Sequence, residues 1–304
     1  MRSVCAAMAL TGEAPDSIEP YPPVLAALLE FHGERRSMMS VWAWPIGATP
    51  LRGEPWSTRA RDWADLMEPA MGQLYRAILD RLDLREGTTL LDAGCGSGLF
   101  CRFATDRGAR ALGLDAAPAL LDIARERAAG EVFDVGDLGS MPYDDATFDV
   151  VTAINSLEYV SSPAAALREV KRVAKPGARI VVATWGCADE CESAGYLTVI
   201  ASMLQASSGA PGPLALSSPG ALETLAKDAA LVPEDVVDVS VEWSFADLDD
   251  ALDALLSAGP AANAVQVVGE RRIRQAVAEA IRPFGTARGQ YRLENTFRYL
   301  LARA

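Results

Sequence analysis

Histidine is almost absent from this sequence: His32 is the only one in 304 residues. Catalysis built on an imidazole triad, or a histidine-rich metal centre, has almost nothing to draw on. Cysteine is sparse as well. Cys5, Cys95, Cys101, Cys187 and Cys191 are odd in number and form no disulfide framework. Cys187 and Cys191 stand four apart, with no second pair or nearby His to complete a tetrahedral site, so no metal is expected and the thiols read as reduced. Positive charge is short: 28 Lys and Arg face 41 Asp and Glu, a net charge of −13. A nucleic-acid partner needs a basic footprint to neutralise phosphates; no basic run stands out, so none is expected. The balance favours a neutral or cationic small ligand. No apolar run approaches the ~20 residues that span a bilayer. The Ala-rich patch at residues 1–10 is too short for a secretory signal. The expectation is a cytoplasmic protein, without membrane contact, working as a monomer or homodimer.

Apolar residues are plentiful, at 50% of the chain, enough to bury a sizeable core. Residues 1–55 carry seven of the 18 prolines and a single helical stretch at 24–30. They read as an extension that is partly disordered or loosely docked, ahead of a domain at 56–304. Ala60, Trp63, Ala64, Met67, Met71, Leu74, Ile78 and Leu82 recur at helical spacing, predicting one or two helices over about 59–82. Apolar runs at 88–93, 110–114, 131–135, 148–154 and 178–185 then alternate with helical patterns at 97–107, 118–128 and 163–174. Strands without polar alternation, separated by helices, predict a doubly wound α/β fold with a mostly parallel sheet. Later strands at 236–243 and 290–303 bring the count to seven. Helices are expected at 192–204, 220–230, 247–256 and 269–281. Segments near 188–217 and 244–289 read as lid insertions covering a site.

The chemistry is concentrated in Leu90, Leu91, Asp92, Ala93, Gly94, Cys95, Gly96, Ser97 and Gly98. A strand runs into a glycine-rich turn and then a helix, so a ligand can approach the backbone closely. A dinucleotide fingerprint requires glycine at the first, third and sixth positions; counted from Gly94, the sixth is Leu99. The sign of Asp92 separates the candidates further. A carboxylate two residues before the first glycine repels a pyrophosphate and attracts a ligand carrying an ammonium and a sulfonium. That favours S-adenosylmethionine over NAD. Asp115 ends the second strand, 23 residues after Asp92, where an acidic side chain accepts from ribose hydroxyls. Asp137 follows the third strand, placed either to accept from an adenine amino group or simply to make a turn.

Together, LLDAGCGSG (90–98), LGLD (112–115), GDLGSMPYDDATFDVV (136–151) and LREVKRVAKPGARIVVATW (167–185) resemble the class I S-adenosylmethionine-dependent methyltransferases. The branch is that of the ubiquinone and menaquinone C-methyltransferases. The resemblance covers residues 58–187. It implies a Rossmann-like methyltransferase fold with Gly94, Cys95, Gly96 and Gly98 along the cofactor. It also implies Asp115 and Ala116 at the ribose, Asp137 and Leu138 at the adenine, and Asn155 starting the loop under the sulfonium. RARDWADLMEP (59–69) resembles the family's preceding helix, which places Arg59 and Trp63 at the methionine end; Trp63 reads equally well as a core residue of an amphipathic helix.

Where this family often has a histidine, after the fourth strand, the sequence has Glu158 and Tyr159. These become the candidates for contacting the acceptor, with a solvated Glu and a packed Tyr as the plainer reading. Strand alternation puts Tyr291 and Asn295 on one face of the last strand, either toward a pocket or satisfied at a strand edge. The function expected is methyl transfer to an O, N or C atom of a small molecule, in specialised metabolism. Two other functions fit the same motifs: a cyclase or isomerase that uses the cofactor without methylating, and a non-catalytic binding subunit.

Overall fold

Seven strands pair into one sheet in the order β3-β2-β1-β4-β5-β7-β6. They are β1 (Thr89–Ala93), β2 (Arg110–Asp115), β3 (Val132–Val135), β4 (Phe148–Ile154), β5 (Ala174–Trp185), β6 (Val232–Phe245) and β7 (Tyr291–Arg303). The computed structural model describes residues 53–128, 130–204 and 213–304. The stretch 24–30, His32 and nearly all of the 1–55 extension lie outside the described residues. The first five strands run parallel, and β7 inserts antiparallel between β5 and β6.

Neighbouring residues of a strand point to opposite faces, so the apolar runs feed two cores. Leu90, Val150 and Val181 pack on one face with Leu74 and Ile78. Leu91, Val151 and Ile180 pack on the other with Leu167 and Val170. The helices that close these faces are α1 (Glu54–Thr58), α2 (Ala60–Asp62), α3 (Gly72–Leu79), α4 (Leu99–Thr105), α5 (Pro118–Arg127) and α6 (Pro163–Val173). Further along come α7 (Ala194–Met203), α8 (Ala221–Asp228), α9 (Leu248–Leu255), α10 (Gly259–Val268) and α11 (Glu270–Ile281).

Three departures from the sequence pattern have local causes. The stretch 59–82 is not regular: after α2 comes a π turn (Trp63–Met67), then a 3-10 turn (Glu68–Met71), and only then α3. Pro69 has no N–H to give the carbonyl four residues back, so the α pattern cannot run through it. Strand β6 begins at Val232, ahead of the expected 236, because it is an edge strand that tolerates Pro233 at a register shift. Helix α10 was not expected at all; it opens on Gly259 and Pro260, residues that read as a break but suit a first helical turn.

Residues 53–55 already pack on the domain. A Cβ on Gly53 would lie 2.0 Å from the Ala116 carbonyl oxygen, so only glycine fits there. Among the described residues no helix is long and apolar enough to cross a membrane.

Leu91 is fully buried on a central strand. We expect Leu91→Ala to lower unfolding free energy by about 2–5 kcal/mol, through lost burial and the cavity left behind. Denaturant titration checks this; a loss below about 1 kcal/mol would show that the site is not tightly packed.

Candidate functional site

The strand order places β2 and β4 on opposite sides of β1, and the crevice beyond their carboxyl ends is the switch point where open α/β sheets take ligands. The glycine turn sits at that point. Gly94 and Cys95 both donate to the Leu114 carbonyl, at 2.7 and 3.0 Å, which folds the turn back over β2. Gly94 has φ +91°, and a Cβ there would come 2.4 Å from the Ser156 Cβ. Gly96 has φ +55° and faces the Glu68 carboxylate and the Trp63 indole. Asn155 leaves β4 in the same left-handed region, φ 48°, a conformation asparagine tolerates.

Three carboxylates converge on this turn. Asp92 is 2% exposed and accepts from Thr152 Oγ1 at 2.7 Å. Asp115 accepts from the Gly96 N–H at 2.9 Å and the Ala117 N–H at 2.8 Å. Glu68 is 1% exposed and accepts from the Ser97 hydroxyl. Arg127 binds the same cluster, donating to Ser97 Oγ at 3.1 Å and Glu68 Oε2 at 3.3 Å. Its other nitrogen holds the Ala64 carbonyl at 2.9 Å and Asp65 Oδ1 at 2.6 Å. Burial pushes Glu68 up to about 7, against the pull of Ser97 and Arg127. Asp92 also rises to about 7, from burial opposed by Thr152 and reinforced by Asp115 and Glu68. Asp115 is raised by burial and held back by its backbone donors. Among the described residues no His, Cys, Asp and Glu cluster is placed to hold a metal ion.

A cavity opens from this turn, with a volume of about 1280 Å³ including its mouth. Of the residues singled out in the sequence, Trp63, Asp92, Gly94, Cys95, Gly96, Asp115, Ala116, Leu138, Asn155 and Tyr159 line it. The Asn155 Oδ1 atom is buried there without a hydrogen-bond partner. No Lys, Arg or His is among its described lining residues.

The structure does not bring the others to the cavity wall. Arg59 binds Asp62 at 2.9 Å and reaches Asp253 and Glu270 at 3.7 and 3.9 Å, so it ties α2 to α9 and α11. Gly98 is a packing position, where a Cβ would touch Ala124 and Phe133 at 3.0 Å. Asp137 makes a turn, accepting from the Gly139 N–H at 2.7 Å. Glu158 is fully buried, lies 3.5 Å from Thr184 Oγ1, and is pushed by burial up to about 8. Asn295 is buried on the predicted face of β7, but accepts from the Ser193 N–H at 3.0 Å. Tyr291 pairs with Phe245 at the far end of β6. Cys95, Cys101 and Cys191 are free thiols, whereas Cys187 is disulfide-bonded, which corrects its reading as reduced.

Sequence reasoning missed Glu68, because its inward position depends on the π turn. It also missed Trp56, which meets Trp63 and Tyr159 edge-on at 5.0 and 5.4 Å. Trp185, Tyr196 and Trp243 line the cavity too. For Trp243 the signal was present: Val241, Trp243 and Phe245 alternate with Glu242 and Ser244, so the strand buries Trp243 on one face.

Residues 91–182 match the family described as a methyltransferase domain. The malonyl-[acyl-carrier protein] O-methyltransferase of Serratia marcescens is 42% identical over 119 residues, 38% of this chain and 47% of that one. The demethylmenaquinone methyltransferase of Beutenbergia cavernae is 34% identical over 120 residues, 39% of this chain and 50% of that one. The chain therefore spans about half the length of these curated relatives. The solved YcgJ protein of Bacillus subtilis superposes with a TM-score of 0.52 at 16% identity, over 75% of this chain and 97% of that one, a likeness of fold. Family match, relatives, sheet order and glycine turn agree: residues 91–182 belong to a class I S-adenosylmethionine-dependent methyltransferase domain.

Proposed function

We propose that the protein transfers a methyl group from S-adenosylmethionine to a small-molecule acceptor held in the same cavity. One observation carries the reading: the buried carboxylates of Glu68 and Asp92 and the half-buried Asp115 ring the glycine turn, and none of the described residues that line the cavity with them is basic. That charge pattern suits a cationic cofactor and disfavours a diphosphate. The left-handed Gly96 keeps the floor of the turn open. The residues present therefore fit this cofactor.

When bound, S-adenosylmethionine supplies an electrophilic methyl group on a good leaving group. The chain's own work is positioning and exclusion of water. Asp115 holds the ribose hydroxyls with its remaining lone pairs, and Leu138 borders the adenine. Asp92, Glu68 and Asn155 hold the positive end, with Trp63 closing over it. Tyr159 keeps its proton, because burial raises its phenol far above the ordinary range; it orients by hydrogen bonding. The described lining residues include no imidazole or amine, so a base, where the acceptor needs one, would come from a carboxyl or from the acceptor itself. The segments near 188–217 and 244–289 act as the covering walls, through α7 and the start of α10. The same reading makes the enzyme cytoplasmic, a monomer or homodimer, and a participant in specialised metabolism.

Calorimetry with S-adenosylmethionine or S-adenosylhomocysteine tests the reading, and absence of binding by both would end it. Mass spectrometry of the product separates methyl transfer from cyclisation, since only the former adds one methylene. Asp115→Ala is expected to weaken cofactor binding by about 1.5–3 kcal/mol, the scale of a charge-assisted hydrogen bond. Unchanged affinity would remove the ribose role.

The carboxyls of Glu68 and Asp92, each at about 7, gain charge as pH rises through neutrality. An ionised carboxylate favours the sulfonium over the neutral thioether product. The preference for S-adenosylmethionine over S-adenosylhomocysteine should therefore grow from about pH 6 to about pH 8, since the groups titrate between them. Titrations at both pH values check this, and a flat ratio would show that neither group faces the sulfonium.

A further inference from the structure

The cofactor assigned to this cavity carries a carboxylate beside its two cationic centres, and the cavity has little to offer it. The amides of the glycine turn are engaged within the fold. Gly94 and Cys95 donate to the Leu114 carbonyl, Gly96 to Asp115 and Gly98 to the Cys95 carbonyl, while the Ser97 amide faces the Glu68 carboxyl. No described lining residue is basic, and Arg59 is occupied by Asp62. A carboxylate entering here needs a neutral side-chain donor.

The π turn supplies one. In it the Glu68 N–H closes on the Trp63 carbonyl, so residues five apart in sequence stack on one side of the chain. On a regular α-helix they would diverge by about 140°. Both side chains reach the glycine turn: a Cβ on Gly96 would lie 3.4 Å from Glu68 Oε1 and 3.6 Å from Trp63 Nε1. Glu68 Oε2 is the oxygen that holds Ser97 and Arg127, so Oε1 is the one presented over Gly96. Trp63 is half-buried and lines the cavity. Its Nε1–H makes no hydrogen bond among the described residues and is not sealed from solvent.

We propose that Trp63 binds the α-carboxylate of the cofactor through its indole N–H, with the α-ammonium turned to Glu68 Oε1 beside it. An acceptor oxygen and an N–H set side by side match an ammonium and a carboxylate borne on one carbon. The inference rests on the methyl-transfer reading for the identity of the ligand. A neutral donor has a consequence of its own: it holds the carboxylate without adding a positive charge that would offset the attraction of Asp92 and Glu68 for the sulfonium. The π turn is then the device that brings the two groups together, which a regular helix over 59–82 would not do.

The test uses the full chain and four ligands, titrated by calorimetry: S-adenosylhomocysteine, its decarboxylated amine, its deaminated acid and 5′-methylthioadenosine, which lacks both groups. Trp63→Phe keeps a ring against Trp56 and removes the donor. We expect it to weaken S-adenosylhomocysteine and the deaminated acid about tenfold, and to leave the decarboxylated amine and methylthioadenosine unchanged. Tyr75→Phe, which removes another lining hydroxyl, should leave the preference for carboxylate-bearing ligands unchanged. Three results overturn the proposal: no loss in Trp63→Phe, equal losses for all four ligands, or a carboxylate-specific loss that appears in Tyr75→Phe instead. Should Trp63→Phe fail to fold, the indole N–H signals of the wild-type protein decide by NMR. One of them should move with the two carboxylate-bearing ligands and stay with the other two; a set in which none does so overturns the assignment. Failure of both S-adenosylhomocysteine and methylthioadenosine to bind counts against the methyl-transfer reading, whereas tight binding that ignores Trp63 counts against this assignment alone.

Discussion

Arg127 holds the cofactor end of this molecule together. Its guanidinium joins the Ala64 carbonyl and Asp65 in the π turn to Glu68 and to Ser97 behind the glycine turn. Without a cation there, Glu68 would be a carboxylate buried beside Asp92 and Asp115, and like charges so placed drive one another to neutrality. With it, the segment before β1 is fastened to the turn, and the carboxylates stay in place. Arg127 does this from outside the cavity, since it is not among the described residues that line it. Removing one member of such a buried group leaves the others uncompensated, which is why the arrangement acts as a unit.

The glycine turn and the sheet were legible because both are local. Asp92, Gly94 and Gly96 take their roles from backbone geometry within one strand-turn unit, and the order of apolar runs and helices prescribes a parallel sheet. Leu138 and Asn155 were named through the family resemblance alone, and both line the cavity. Glu68 was not legible: its burial depends on how far the π turn rotates the chain before Pro69, and no periodicity reports that rotation. Arg59 sits on the expected segment but finds its partners, Asp253 and Glu270, about two hundred residues later in the chain. Long-range electrostatic pairing of that kind leaves no trace in local pattern. The alternation of β7 was read correctly, yet at Asn295 that face meets the backbone of Ser193 and not the cavity.

Glu158 and Tyr159 show how adjacent residues separate. Both sit in the short turn after β4, where a catalytic side chain was expected. Tyr159 turns toward Trp56 and the cavity, while Glu158 turns in toward Thr184. Burial raises Glu158 to about 8, so at neutral pH it is largely a neutral acid within the fold. A basic carboxylate at the acceptor is thereby missing from the position where sequence reasoning placed it.

The acceptor end then follows from what the cofactor end requires. Carboxylates that favour a sulfonium also repel an anionic second substrate a few ångströms further on, unless a cation stands between them. Among the described lining residues there is none. An acceptor that enters such a cavity must gain its free energy from apolar area, which Trp185, Tyr196 and Trp243 supply, and its orientation from few polar contacts. Charge at one end and aromatic walls at the other are thus a single constraint: the first excludes anions, and the second rewards the neutral molecules that remain.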